Sequence, residues 1–184
     1  MLPSFSFRND QPDDFLAVVR EVGQWLVDAG HEMWQVDTLT ADNLFDEHTR
    51  DNCYVMYARE NGAAGTGSLD DEKATTRAAV PAAVFILQWK DPLYFAEVPD
   101  HTAGFIHKLA IRRQFAGMGL FAPILEFCRQ ECLKRYIHQI QLETDATRPP
   151  LMRFYERYGF RPTYQKTIRE FGQTFNCQYY ILQL

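Results

Sequence analysis

One stretch limits what this chain can fold into: residues 107–125, which read HKLAIRRQFAGMGLFAPIL. A short apolar run is followed by a basic turn that contains two glycines, and then by residues that favour a helix. Backbone N–H groups at the start of a helix have no partner within it, and with the positive end of the helix dipole they bind phosphate oxygens. The stretch therefore predicts a strand, a phosphate-binding turn and a helix, in that order.

The two glycines give the turn its shape. Because glycine has no Cβ, Gly117 and Gly119 can adopt positive φ and let a diphosphate approach the main chain closely. Arg112 and Arg113 add positive charge beside them. A phosphorylated ligand is the expected occupant of such a turn.

One class of protein with such a turn is the dinucleotide-binding fold. Gly117, Gly119 and Ala122 satisfy its G-x-G-x-x-A pattern, and Glu143 or Asp145 follows at the end of the next predicted strand. In that fold, however, the first glycine directly follows the strand, whereas here the residues RRQFA precede Gly117. The spacing disfavours a dinucleotide site, which stays open as the less favoured alternative.

The stretch from 105 to 160 instead resembles the GCN5-related N-acetyltransferase (GNAT) family. That family's acetyl-CoA motif, Q/R-x-x-G-x-G/A, follows a strand that often ends in L-A-V/I, and a second motif, F-Y-x-x-x-G-F, comes later. Both occur here in the right order and separation. The matching residues are Leu109, Ala110 and Ile111, then Gln114, Gly117 and Gly119, and finally Phe154, Tyr155, Gly159 and Phe160.

The resemblance implies an α/β (α+β) fold, with a mixed, mostly antiparallel sheet flanked by helices and two parallel strands that splay apart at the cofactor site. Periodicity and turn residues predict the elements along residues 1–184, interpreted as one acetyltransferase domain. A mobile hairpin loop is expected at residues 61–79. The predicted strands are 4–8, 52–59, 80–89, 105–111, 139–145, 162–171 and 174–184, and the predicted helices begin at 12, 41, about 120 and 149.

The resemblance also implies how acetyl-CoA is held as a co-substrate. Its pantetheine would bond to the strand backbone at Leu109 and Ile111, and its diphosphate would lie on the turn. Arg148 occupies a position where many relatives have asparagine, and its guanidinium could bind a CoA phosphate. The turn residues implied are Gln114, Phe115, Ala116, Gly117, Met118, Gly119 and Leu120.

Two residues are the candidates for catalysis by direct transfer of the acetyl group. In the resembled family the tyrosine of the second motif, here Tyr155, protonates the departing thiolate. His107 could accept the proton that an attacking ammonium must lose, because an imidazole titrates near neutral pH. A chain of waters or a loop carboxylate could do so instead, the carboxylates being Asp91, Glu97 and Asp100.

Strict alternation along the predicted strand 105–111 places Phe105, His107 and Leu109 on one face of the sheet, and the residues between them on the other.

On the acceptor side, Trp34 lies in a polar connection between two helices, which in the resembled family often forms a wall of the pocket. Trp34 either plugs the junction or contacts the substrate, and Glu32 could receive a cationic group.

The expected activity is acetylation of a primary amine on a small molecule or peptide, with a non-catalytic CoA-binding module as an alternative. A net charge of −5 argues against a nucleic-acid partner.

No signal peptide or apolar run of roughly 20 residues is present, which predicts a cytoplasmic protein without a membrane partner. Whether the chain forms a homodimer stays open. The four cysteines lack metal-ligand spacing, so no metal and no cysteine nucleophile is expected.

Overall fold

The computed structural model describes residues 4–45, 49–59, 79–170 and 172–184. Within them, seven strands form one sheet in the order β1-β2-β3-β4-β5-β7-β6. The strands are β1 Ser4–Arg8, β2 Cys53–Arg59, β3 Val80–Gln88, β4 Gly104–Ile111, β5 Gln139–Asp145, β6 Arg161–Glu170 and β7 Gln173–Gln183. Every predicted strand is confirmed, with no end displaced by more than one residue.

Four α-helices flank the sheet in the described part of the chain. They are α1 Pro12–Asp28, α2 Ala41–Leu44, α3 Phe121–Leu133 and α4 Pro149–Arg157. Proline at the first position suits the starts of α1 and α4, where the N–H would have no partner. The side chain of Thr40 caps α2 by accepting from the N–H of Asn43 (3.3 Å), and the helix ends at Leu44. Residues 46–48, and all of the predicted mobile loop except Ala79, lie outside the described residues.

The pairing of neighbouring strands changes from antiparallel to parallel at β4. Strands β1 to β4 pair antiparallel in sequence order, β7 pairs antiparallel with β5 and β6, and β4 pairs with β5 in parallel. This parallel pairing covers only Gly104 with Ile140 and Phe105 with Gln141. Beyond those pairs the two strands separate, so the predicted splayed parallel strands are confirmed.

Two layers of helix cover opposite faces of the sheet. Helix α1 packs over β2, β3 and β4 through its apolar stripe, whereas α3 and α4 pack over β5 on the other face. The stripe of α1 consists of Phe15, Val18, Val19 and Val22. The gap between β4 and β5 therefore lies between the two layers.

A β-bulge interrupts β4 and corrects the predicted alternation. The register of β4 against β3 gains one residue on β4, and Lys108 has a φ of 48°. An extra residue reverses which face the following side chains occupy. Leu109 consequently packs on the α3 and α4 side, and Ala110 packs on the α1 side. The prediction that Leu109 shares a face with Phe105 and His107 was wrong.

A helix that crosses a bilayer needs roughly 20 mostly apolar residues. None of the described helices combines enough length with enough apolar character to do so.

Candidate active site

The glycine turn joins β4 to α3 as the sequence predicts. Residues Arg113–Phe115 form one turn of 3-10 helix, and α3 begins at Phe121. Gly117 and Gly119 have φ values of 77° and 73°. A Cβ built at either position meets no atom within 4 Å. The requirement for glycine there is therefore conformational, because other residues adopt positive φ only at a cost.

Several amides of this turn have no acceptor. The N–H of Met118 donates to the carbonyl of Phe115 (3.3 Å), and the N–H of Ala122 donates to that of Gly119 (3.1 Å). No side chain caps the start of α3. Among the described residues, no acceptor is found for the N–H groups of Gly117, Gly119, Leu120 and Phe121. Four such donors at the start of a helix of 13 residues form a site suited to an anion.

The two arginines beside the turn are directed towards α1. Arg112 makes a bidentate ion pair with Glu21, with N···O distances of 2.7 and 3.0 Å. The guanidinium of Arg113 lies 4.9 Å from the centroid of the Trp25 ring. These contacts hold the turn against α1, and the amides are left as its main groups for binding an anion.

A cavity of about 310 Å³ occupies the gap between β4 and β5. Its walls come from both faces of the sheet, because the two strands do not pair there: Leu109 and Tyr155 belong to the α3 and α4 side, whereas Ile86 and Cys177 belong to the opposite face. Of the predicted site residues, the cavity is lined by Glu32, Trp34, His107, Leu109 and Tyr155. Ile111 and residues 114–120 lie outside its lining, along the adjoining strand end and turn.

Tyr155 is presented to the cavity by α4, which Gly159 follows with a φ of 88°. Its side chain is only 8% exposed and lies among the rings of Phe121, Phe160 and Tyr180. Burial, followed by the negative charge of Glu143, raises the pKa of Tyr155 well above its ordinary value. Its oxygen makes no hydrogen bond to any described residue, so the cavity contains an uncommitted phenol O–H.

His107 lies between two carboxylates at the opposite wall. Its Nε2 is 2.8 Å from Oδ2 of Asp91, and its Nδ1 is 3.2 Å from Oε2 of Glu143. Neither carboxylate oxygen is aligned with a ring N–H bond, so charge attraction contributes more to both contacts than directional hydrogen bonding. The ring of Tyr94 lies 5.5 Å from the imidazole, centroid to centroid.

The charges of this cluster follow from its surroundings. Burial alone would lower the pKa of His107, but the charges of Glu143 and Asp91 raise it to about 10. Burial alone would raise the pKa of Asp91, yet its contacts with His107 and with the amides of Leu93 and Tyr94 lower it overall. At neutral pH the cluster is therefore an imidazolium beside a buried carboxylate.

Sequence reasoning missed Glu143 as a member of this cluster and assigned it only to the alternative dinucleotide site. The available signal was the alternation of β5, which puts Gln139, Gln141, Glu143 and Asp145 on one face. It missed Thr144 as well, whose buried hydroxyl lines the cavity without a described partner. Of the three loop carboxylates considered, only Asp91 lines the cavity. The other two pair elsewhere, Asp100 with Lys90 and Glu97 with Lys166.

Arg148 is engaged away from the glycine turn. Its Nε donates to Asp145 (2.9 Å), and its two terminal nitrogens donate to the carbonyls of His31 (3.1 Å) and Glu32 (2.6 Å). Each guanidinium nitrogen thus has a protein partner. The expectation that Arg148 binds a CoA phosphate does not fit these contacts, which tie the end of β5 to the connection that follows α1.

That connection forms the acceptor-side wall. Trp34 lines the cavity and also packs against the α1 core. The packing fits the role of a plug at the junction, and contact with the substrate stays a prediction. The amine of Lys108 lies 5.9 Å from the Trp34 ring centroid. Among the described residues, no cluster of three or more His, Cys, Asp or Glu side chains is arranged to hold a metal ion.

Comparison with known proteins matches this arrangement to one family. The model of the Acetyltransferase (GNAT) family matches residues 19–160. The uncharacterized N-acetyltransferase YesJ of Bacillus subtilis is 23% identical over 151 residues, which cover 82% of this chain and 77% of YesJ.

Solved structures share the fold at lower identity. A GNAT-family acetyltransferase from Listeria monocytogenes superposes with a TM-score of 0.65 at 17% identity, covering 98% of this chain and 95% of the other. A chain of the NatC complex, solved with Gag peptide and CoA, superposes with a TM-score of 0.61 at 16% identity, covering 100% of this chain and 99% of the other. The alternative of a dinucleotide-binding fold is therefore wrong, as the presence of only one parallel strand pair in the described part of the sheet also indicates.

Proposed function

The chain belongs to the GNAT family of acetyltransferases, and from that premise we propose that it transfers an acetyl group from acetyl-CoA directly to a primary amine. The amine belongs to a small molecule or a peptide. The observation that carries the proposal is the cavity at the strand gap, which joins the two faces of the sheet beside an uncommitted phenol. A thioester on one face and an amine on the other can meet there.

The residues of the turn fit the diphosphate of acetyl-CoA. Four amides without acceptors offer hydrogen bonds, and the positive end of α3 favours negative charge. Residues 114–120 would hold this part of the molecule. Leu109 and Ile111 would contact the pantetheine, because the edge of β4 facing β5 has no strand partner beyond Phe105 among the described residues. When bound, acetyl-CoA supplies an activated acyl group.

Two groups of the chain then serve the transfer. The amides of β4 near Leu109 stabilise the oxyanion that develops on the thioester carbonyl, as preorganised donors do in acyl transfer. Tyr155 holds its proton at all ordinary pH values and gives it to the sulfur as the C–S bond breaks. Trp34 and Glu32 shape the acceptor side.

The charge of the cavity favours a cationic acceptor. Its wall contains more carboxylates than basic groups, and the excess remains when Lys90 and Asp145, which are ion-paired outside the wall, are left out. The carboxylates are Glu32, Asp91, Glu143, Asp145 and Glu170, and the basic residues are Lys90, His107 and Lys108. An ammonium group that enters this partly closed space is attracted by the carboxylates of the wall, whereas a carboxylate on the acceptor is repelled by them.

A matched pair of amines tests this proposal. 2-Phenylethylamine and phenylalanine share one carbon skeleton and differ by a carboxylate. In a thiol-release assay with acetyl-CoA, we expect kcat/KM for 2-phenylethylamine to exceed that for phenylalanine by about tenfold or more. This ratio corresponds to a difference of roughly 1.4 kcal/mol in the free energy of the transition state. Equal values would contradict the charge argument. No thiol release with either amine, despite binding of acetyl-CoA, would favour the non-catalytic module.

A further inference from the structure

The cluster of Asp91, His107 and Glu143 determines which group can accept a proton from the acceptor amine. The imidazole lies between two carboxylates, at 2.8 and 3.2 Å, and its side chain is 10% exposed. A neutral ring there would leave two negative charges close together in a buried place, whereas an imidazolium leaves a net charge of one. An imidazolium carries a proton on each ring nitrogen and has no lone pair left to accept another.

The two carboxylates differ in how firmly they are held. Oδ1 of Asp91 accepts hydrogen bonds from the amides of Leu93 (3.0 Å) and Tyr94 (2.9 Å), while Oδ2 faces His107. Its side chain is only 3% exposed. Asp91 is thus anchored by loop amides as well as by the imidazole, at the ring nitrogen that Glu143 does not face.

Glu143 is the more exposed carboxylate of the cluster. Its side chain is 16% exposed, and His107 is the one described residue that forms an ion pair with it. It extends from the part of β5 that has separated from β4, and it lines the same cavity as Tyr155. Its charge also acts on Tyr155 of α4, on Tyr94 of the loop before β4 and on Cys177 of β7.

We propose that Glu143 is the catalytic base that takes the first proton from the acceptor ammonium, and that His107 and Asp91 are positioning residues that hold its carboxylate at the gap. This assignment rests on the proposed acetyltransferase function. It replaces the expectation that the imidazole itself is the base. The role of His107 is to remain charged and fix Glu143.

The proton and bond balance is complete with the groups named. The ammonium gives one proton to the Glu143 carboxylate, and the neutral amine forms an N–C bond with the thioester carbon. The C–S bond breaks, and the sulfur takes the proton of Tyr155. The nitrogen of the former amine then gives its second proton to the Tyr155 phenolate, which restores the phenol and completes the amide. Glu143 returns its proton to solvent.

Other titratable groups surround the imidazole, and they determine how a pH titration is interpreted. Burial raises the pKa of the Cys177 thiol to about 12 and raises those of the nearby phenols further. These groups therefore stay neutral over the range in which His107 titrates. The neighbours are Asp91 and Tyr94 before β4, Lys108 on β4, Glu143 on β5, Tyr155 on α4, Glu170 on β6, and Cys177 and Tyr179 on β7.

The first arm of the test does not depend on activity. The ring nitrogens of 15N-labelled His107 report its protonation by NMR. We expect an imidazolium at pH 7.5 that persists to about pH 9 or above in the wild type, and that titrates at lower pH in Glu143→Gln. A neutral ring at pH 7.5 would overturn the proposal.

The second arm compares ethylamine with 2,2,2-trifluoroethylamine, whose fluorines leave it largely neutral at the assay pH. For each amine, the turnover of a variant is divided by that of the wild type. Glu143→Gln should lose about 100-fold with ethylamine and only a few-fold with the fluorinated amine, which has less need of a base. His107→Gln, which removes the partner that holds the Glu143 carboxylate, should lose a smaller factor that is again greater with ethylamine. The control Glu126→Gln, which removes an exposed carboxylate on α3, should lose nothing.

The two kinds of failure can be told apart. Equal losses for both amines in Glu143→Gln, or an amine-dependent loss in His107→Gln that exceeds the one in Glu143→Gln, would overturn the base assignment while the wild type remains an active transferase. A wild type that acetylates neither amine would overturn the proposed function itself.

Discussion

Gly117→Glu is expected to abolish measurable binding of acetyl-CoA while leaving the protein folded. The substitution puts a negative side chain next to amides that would receive a diphosphate, and it forces a residue with a Cβ to adopt a φ of 77°. A loss of about 100-fold or more corresponds to roughly 2.7 kcal/mol of binding free energy. Isothermal titration calorimetry with acetyl-CoA measures it.

The matched control is Gly172→Glu in the turn between β6 and β7. Gly172 has a φ of 76°, and a Cβ there also meets nothing within 4 Å. Both variants therefore carry the same new charge and a similar backbone cost of about 1–2 kcal/mol. If Gly117→Glu binds acetyl-CoA as Gly172→Glu does, the turn is not the diphosphate site.

Tyr155→Phe is expected to lower kcat by about 100-fold or more with little change in the Kd for acetyl-CoA. A general acid contributes typically 10²–10⁴-fold, and it acts only as the thiolate departs. Because the phenol oxygen makes no hydrogen bond to any described residue, the substitution removes no contact that stabilises the fold. Steady-state kinetics and calorimetry together test this separation of kcat from binding.

Tyr158→Phe provides the control for that substitution. Tyr158 follows α4 directly and packs against the same Phe121 ring, at 4.7 Å between centroids, but it does not line the cavity. Removing the Tyr158 hydroxyl should leave kcat within a few-fold of the wild type. Similar turnover in both variants would return Tyr155 to a packing role in the aromatic cluster.

Local sequence patterns were sufficient for the elements that position the site. The apolar stripe of α1, the alternation of β5 and the glycines that follow β4 and α4 each depend on short-range rules, and the structure confirms them. The order of the two motifs then implied the mixed sheet and the splayed pair, which no local pattern contains.

What the sequence did not predict depends on contacts between distant segments. The bulge at Lys108 appears only when β4 pairs with β3, so strict alternation misplaced Leu109. The charge of His107 depends on Asp91 and Glu143, which lie 16 residues before it and 36 residues after it. Arg148 is engaged by carbonyls more than 100 residues away. Spacing alone could not anticipate these partners.

The central claim is that the amides of the turn after β4 bind the diphosphate of coenzyme A. Its most direct test is a 15N amide NMR titration of the wild type with coenzyme A and, separately, with pantetheine, which lacks the diphosphate. The account predicts saturable shifts of the Gly117, Gly119 and Leu120 amides with coenzyme A and none with pantetheine. Saturable binding of coenzyme A that leaves these three amides unchanged would contradict it.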